Sequence, residues 1–293
     1  MAILLAKKVE IGKGRVDIGE IENVSTSGAD TGTLPLARSI NSYGNEFQYV
    51  SGLKQAKNNT GSYLLEMDVY YTGERSWLAV QAGGRNYPIV LKSPEDATEE
   101  QVRYISKYVQ EQINSIGTDS LGSFDLDSLA RTFLVEEFAK NVDYIRHSST
   151  YMYKDQDSAA LMSGPVWDFD LTLGNDRSGL SAGIESESYA FFMYNTSFRQ
   201  QVRKIFNEEL KPLVHKTLLG QEKQGSLASI SSMANKIGAS QKMNQVIWPS
   251  FYGSEYQIVP QSTYEGNITV LQNFVSQRLA WLDYYLHSTQ WIA

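Results

Sequence analysis

Cysteine is absent from the 293 residues, which rules out disulfides, thiolate zinc sites and a cysteine nucleophile. That absence leaves the redox compartment open. Basic charge is in deficit: 26 Lys and Arg face 33 Asp and Glu, a net charge of -7. A broad groove for phosphate backbones is therefore excluded, and nucleic acid is not an expected partner. Long apolar runs are missing as well, so no membrane span is expected. The N-terminal MAILLAKK has a short apolar patch but not the basic flank, long apolar core or cleavage site of a signal peptide. No internal repeat is present. What the chain does have is a hydrophobic fraction of 42%, enough for the core of one large domain or two small ones. Its 18 Tyr and 5 Trp suit either a large core or a stacking surface for sugars.

Hydrophobic patterning divides the chain. From Lys7 to Ile18, KKVEIGKGRVDI alternates apolar and polar residues around GKG and predicts a hairpin turning at Gly12 to Gly14. Those glycines lack phosphate-loop spacing, and no helical pattern follows them. Residues 23–61, rich in Ser, Thr, Gly and Asn, read as a long, partly ordered excursion. Strands are predicted over Ser62 to Tyr71 and Pro88 to Lys92, with a Gly-rich turn between them. After Pro94 the pattern turns helical: Thr98 and Gln101 fit a capping box, and Val102, Ile105, Val109, Ile113 and Ile116 form one apolar stripe. A second helix is predicted over Leu126 to Lys140, capped by Asp125 and stopping at Asn141. It turns Leu126, Leu129, Phe133, Leu134 and Phe138 inward. The polar KDQDS turn inside STYMYKDQDSAALMSGPVWDFD predicts a further hairpin. Three more helices are predicted near Ser197 to Leu218, Ser226 to Ile237 and Glu265 to Leu286, the last opened by a capping box of Ser262 and Glu265. A β-rich first third followed by helices gives an α+β class with segregated elements.

The stretch that points to chemistry is GPVWDFD, Gly164 to Asp170. In an extended segment Asp168 and Asp170 point to one side and can converge on an ion. Beside Trp167 and Phe169, unpaired carboxylates are costly to desolvate, and Mg²⁺ or Ca²⁺ compensates them. The alternative is structural: Asp170 caps the turn through LTLGN, and Asp168 accepts bonds from backbone amides. Asp143 sits just past the second helix, where a lone acid is ordinarily a turn residue. A loop acid, a hairpin and then a metal-binding acid is the layout of a phosphoryl-transfer site. The first acid orients an acceptor hydroxyl, and the second holds Mg²⁺ on the phosphates. Positioning and charge neutralisation carry most of such a reaction, which explains the need for both. Glu66 and Asp68 share a strand face and either border a nucleotide pocket or stay solvated. Lys92 reaches a phosphate, pairs with Glu66 or is simply exposed. Lys92 and Glu66 are the candidates for nucleotide binding.

The segments YLLEMD, IVLKSPE, LVEEFAKNVD, STYMYKD and GPVWDFDLTLGN occur in the order seen in the spore-coat protein CotH kinase-like family, which the chain resembles over nearly its whole length. The resemblance implies an atypical protein-kinase-like fold in a single domain over residues 1–293. A partial β-rich lobe would occupy residues 1–93, and a mostly helical lobe over 94–293 would carry the acidic site. It implies ATP and Mg²⁺ (or Mn²⁺) as cofactors, and transfer of phosphate to Ser or Thr of proteins in the spore coat, at the cell surface or outside the cell. By the same resemblance Asp143 is the catalytic acid and Asp168 the principal metal ligand, with Asp170 a second ligand or a structural partner. Relatives place Asn residues after the catalytic acid, where an amide oxygen helps to hold a second metal; here His147, Ser148 and Ser149 fill those positions. The chain is expected to begin inside the family pattern, without the first strands of the N-terminal lobe. These departures keep an alternative open, a non-catalytic surface module that binds polysaccharide or protein through aromatic side chains. A phosphoesterase using the same acids to activate water is a third reading.

Overall fold

The structure of the protein, a computed structural model, describes residues 36–40, 46–50, 61–145, 148–175, 191–249 and 263–292. Strands β1 (Leu36–Ile40) and β2 (Glu46–Val50) pair antiparallel within the stretch read as an excursion. The expected hairpin over residues 7–18 lies outside the described residues. A second, five-stranded antiparallel sheet is built from β3 (Tyr63–Met67), β4 (Trp77–Ala82), β5 (Arg85–Ser93), β6 (Thr150–Lys154) and β7 (Met162–Val166). Its strand order is β4-β5-β3-β6-β7. Alternation explains its inner face, where Tyr63, Leu65 and Met67 meet Leu78 and Val80 of β4 and Tyr87, Ile89 and Leu91 of β5, all buried.

Strand β4 is an addition to the sequence reading, which has only a Gly-rich turn in its place. Gly83 and Gly84, with φ of 55° and 78°, form the two-residue loop of a β4–β5 hairpin, a turn that needs positive φ at both central positions. β3 is shorter than the expected strand over Ser62 to Tyr71 because Asp68 turns the chain. Its carboxylate accepts from the Tyr70 amide at 2.9 Å, and a 3-10 turn follows over Tyr71–Gly73. Pro88 is tolerated in an inner strand for a related reason. Its carbonyl accepts from Asp68 at 3.4 Å, so the side on which it lacks an N–H faces the point where β3 has already ended.

Helix α1 (Glu99–Asn114) begins with the expected capping box of Thr98 and Gln101 and buries Val102, Ile105 and Val109. It stops before Ile116, which falls outside the helix. Gln110 bonds the amide and carbonyl of Gln81 at 2.7 and 2.9 Å, occupying the backbone of edge strand β4. Helix α2 (Leu126–Ala139) is capped by Asp125, whose carboxylate accepts from the Ser128 amide at 2.7 Å. It ends in a Schellman arrangement: Lys140 takes φ 52°, and the amides of Lys140 and Asn141 donate to the carbonyls of Glu137 and Glu136. A single helical turn, α3 (Val142–Ile145), follows at once.

The described residues form two compact units. One contains the strands, α1 and the start of α2, from residues up to 129 and 148–167; the other contains 130–145 and 168–292. β6 and β7 therefore join the sheet unit. In the helical unit, Asn195 caps α4 (Thr196–Ile205) by accepting from the Phe198 amide. The helix continues through a π turn (Phe206–Leu210), an α turn (Lys211–Leu213) and a second π turn (Val214–Leu218). Pro212 lies between the π turns, and because it has no N–H to give the preceding turn, the widened segments absorb the break. Ser229 caps α5 (Ile230–Lys236), which starts later than the expected Ser226, and α6 (Gly238–Ile247) is a further addition. Helix α7 (Tyr264–Leu286) is capped by Thr263, whose hydroxyl accepts from the Gly266 amide; Ser262 of the expected capping box lies outside the described residues, and α8 (Thr289–Ile292) closes the described chain. Phe133 of α2 packs on Phe198 and Trp291, with ring centroids 5.3 and 6.1 Å away. The fold is α+β, as the patterning implies.

Candidate functional site

Asp143, Asp168 and Asp170 come together in the helical unit, each offering a carboxylate oxygen within 4.8 Å of the others. Asp143 is half-buried, and the other two are exposed. The local reason differs from the one the sequence suggests. β7 ends at Val166 and Asp168 has φ 58°, so the acids do not share the face of a strand; a loop gathers them. Asp168 and Asp170 are exposed, as is Trp167 at 60%. Aspartate is among the few residues that tolerate a left-handed backbone, which suits it to this turn.

The loop after Asp168 is tied down by bonds to its backbone. The Leu173 amide donates to the Ala139 carbonyl at 2.7 Å, the Thr172 hydroxyl to the Phe169 carbonyl at 2.7 Å, and the Asn175 side chain to the Asp170 carbonyl at 2.9 Å. The alternative in which the Asp170 carboxylate caps the LTLGN turn is not what these bonds describe, because Asp170 contributes its carbonyl. Gly174, at φ 91°, packs so closely on Phe274 of α7 that a Cβ there would lie 3.0 Å from the ring.

Carboxylates at this spacing repel one another when ionised. Carboxylate oxygens are the donors that a hard dication takes, and exposed acids leave room for the water ligands that Mg²⁺ retains. The residues present thus fit a divalent metal.

Glu66 and Lys92 lie in the sheet unit and form a different arrangement. The Lys92 ammonium is 3.2 Å from Glu66 and 3.0 Å from Glu74. Alternation puts it there: Glu66 pairs with Val90, and Lys92, two residues on, shares that face, at a bulge where Leu64 pairs with Ser93 and Leu65 with Leu91. Glu66 is buried, and burial raises its carboxyl above the usual range against the bonds from Tyr151 and Lys92. Burial works against the charge on Lys92 too, but its bonds to Glu74 and Glu66 prevail and hold the ammonium above its ordinary value. Tyr151 stands opposite Glu66 in the β3–β6 register, and burial followed by that carboxylate pushes its hydroxyl up. Of the three alternatives for Lys92, pairing with Glu66 is realised. Asp68 accepts from Ser148 at 3.1 Å and from Tyr70, so it is engaged in structure; His147 lies outside the described residues.

Sequence reasoning passed over Glu74, Tyr151 and Asn141. Tyr151 becomes visible only once the strand register is known, and Glu74 only once the turn after β3 is known. Asn141, fully buried, donates from Nδ2 to the Asp168 carbonyl at 3.1 Å and accepts at Oδ1 from the Asp143 amide at 3.1 Å.

Residues 48–282 match the family model described as CotH kinase protein, about four fifths of the chain. No curated protein and no solved structure gives a significant match. Membership of that family suggests a kinase-like phosphotransferase using ATP and a divalent metal. Among the described residues, no helix is long and apolar enough to cross a membrane.

Proposed function

Since the chain belongs to the CotH kinase family, we propose that it is an atypical protein kinase dependent on Mg²⁺ or Mn²⁺. It would move the terminal phosphoryl group of ATP to a Ser or Thr hydroxyl of a protein in the spore coat, at the cell surface or outside the cell. The observation that carries this reading is the convergence of Asp143, Asp168 and Asp170. Asp168 and Asp170 would hold the metal, Asp168 as the principal ligand. When bound, the metal supplies neutralising charge at the transferred phosphoryl group. Asp143 would orient the acceptor hydroxyl and take its proton as the oxygen bonds to phosphorus. Lys92 would offer an ammonium to phosphate oxygens, held in place by Glu66 and Glu74.

The test is phosphate incorporation from labelled ATP and Mg²⁺ into a Ser- and Thr-rich protein acceptor. Incorporation by the unaltered chain and its loss in Asp168→Asn, with unchanged thermal unfolding, is the expected result. Equal incorporation by both proteins, or none by the unaltered chain, refutes the reading.

A further inference from the structure

We infer that Asn141 is the positioning residue that holds the two acid-bearing segments in register before any metal arrives. This rests on the metal-binding reading of the acids. Asn141 is the residue directly after the left-handed end of α2, and its own amide is fixed to the Glu136 carbonyl at 3.0 Å. Its side chain then reaches both parts of the site. Oδ1 receives the Asp143 amide, which sets the start of α3 and the acid on it; Nδ2 donates to the carbonyl of Asp168, 27 residues away in sequence. Asn141 also hydrogen-bonds the side chain of Glu136 one turn back on α2, a carboxylate that is itself 2% exposed.

An amide held this way has one orientation. Turning it over would set its oxygen against the Asp168 carbonyl and its NH₂ against the Asp143 amide. All the contacts would become repulsive or empty at once, inside a site with no exposed surface on Asn141. The backbone of Asp143 is therefore tied to the backbone of Asp168 through one rigid group. Half-buried Asp143 and exposed Asp168 take their spacing from a buried amide, and these two acids need not be brought together by the cation. Outer groups that orient metal ligands in this manner typically change metal affinity by about ten- to a hundred-fold when removed.

The experiment uses the full chain and Mn²⁺ alone as the probe, with bound and free metal separated by electron paramagnetic resonance. Asn141→Asp keeps the acceptor for Asp143 but sets a carboxylate against the Asp168 carbonyl and Glu136. It is expected to weaken Mn²⁺ binding by about ten- to a hundred-fold and to lower the unfolding temperature. Adding Glu136→Gln restores a donor to the new carboxylate but none to Asp168. The double variant is expected to regain unfolding temperature without regaining Mn²⁺ affinity. A purely structural role would restore both together, and that result overturns the inference.

Asp168→Asn separates the two levels of the reading. If Asp168→Asn abolishes Mn²⁺ binding while Asn141→Asp binds normally, the positioning role alone is wrong. If the unaltered chain and Asp168→Asn bind Mn²⁺ alike, the metal reading falls and takes the inference with it. A measurement on the unaltered protein covers the case in which the variants do not fold. The Asn141 side-chain NH₂ must show slow hydrogen exchange by NMR in metal-free protein; fast exchange overturns the inference.

Discussion

Glu66 in the sheet unit is 5% exposed and meets a lysine at 3.2 Å, whereas Asp168 and Asp170 in the helical unit are exposed and meet other carboxylates. A buried carboxylate must be compensated where it sits, so the chain supplies Lys92 and Tyr151 and the cluster is internally complete. Exposed carboxylates carry no such requirement, since water solvates them at little cost. Asp168 and Asp170 nonetheless lie with half-buried Asp143 within 4.8 Å of one another, an arrangement that their mutual repulsion opposes. The interior of the helical unit is used to maintain it through Asn141. One cluster carries its cation within the chain; the other, on the function proposed above, would take a cation from outside.

The largest effect that would break this contrast is on activity. Asp143→Asn is expected to lower phosphate transfer by about 10²–10⁴-fold, the range of a lost general base, with little change in the unfolding temperature. A fall in stability comparable to that of a buried-pair variant would show that the trio is structural after all. The measurement pairs initial rates with thermal unfolding on the same preparations.

The largest effect on stability belongs to a pair that resembles the Glu66 cluster in kind but sits deeper, in the helical unit. Arg278 of α7 donates through Nε and Nη2 to the Glu137 carbonyl at 2.9 and 2.7 Å and approaches its carboxylate at 3.2 Å, with both side chains fully buried. Arg278→Met removes the donors and leaves the Glu137 carboxyl without its cation. It is expected to cost about 3–5 kcal/mol, the usual penalty for breaking a buried pair from one side. Urea unfolding measures it.

Glu137 also makes the contrast sensitive to pH. Burial raises its carboxyl from 4.5 to about 8, with Arg278 pulling the other way. Its folded form holds a proton more tightly than its unfolded form, so its contribution to stability is highest at low pH and declines between about pH 4.5 and pH 8 as the unfolded chain ionises more readily. Glu136, raised well above its usual range chiefly by burial, acts with the same sign. Glu137→Gln is expected to flatten the decline, so that its stability relative to the unaltered chain is more favourable at pH 8 than at pH 5. Parallel urea curves at the two pH values would refute this.

What the sequence reveals follows the range of the interactions. The capping box of Thr98 and Gln101 and the Asp125 cap are legible because every partner lies within four residues. β4 escapes because the Tyr71 to Ala82 stretch mixes a 3-10 turn with a short alternating run, and its strand character depends on pairing with β5. The acids of the candidate site are legible by type and order. Their convergence is not, because it depends on the left-handed Asp168 and on loop bonds to Ala139 and Asn141, more than twenty-five residues away in the chain. Asn141 reads in sequence only as the end of a helix, and nothing local indicates that its amide reaches Asp168.

The smallest expected effect sharpens the comparison from the side of the sheet. Lys92→Met keeps the length of the side chain on the β5 bulge but takes the ammonium from Glu66 and Glu74. Because Lys92 is part-exposed and water screens the pair, the loss is expected to be about 1 kcal/mol. It should depend on pH in a defined direction. Burial already raises the Glu66 carboxyl, and without the lysine it rises further, so protonation relieves more of the cost at pH 5 than at pH 8. Destabilisation is therefore expected to be larger at pH 8 than at pH 5. Mn²⁺ affinity at the acids should be unchanged, while ATP binding, followed by the thermal shift it produces, should weaken if the lysine also serves phosphate. Equal destabilisation at both pH values would mean that Glu66 is compensated by Tyr151 alone. Unchanged ATP binding would leave Lys92 a purely structural cation, and both clusters would then differ in function as well as in burial.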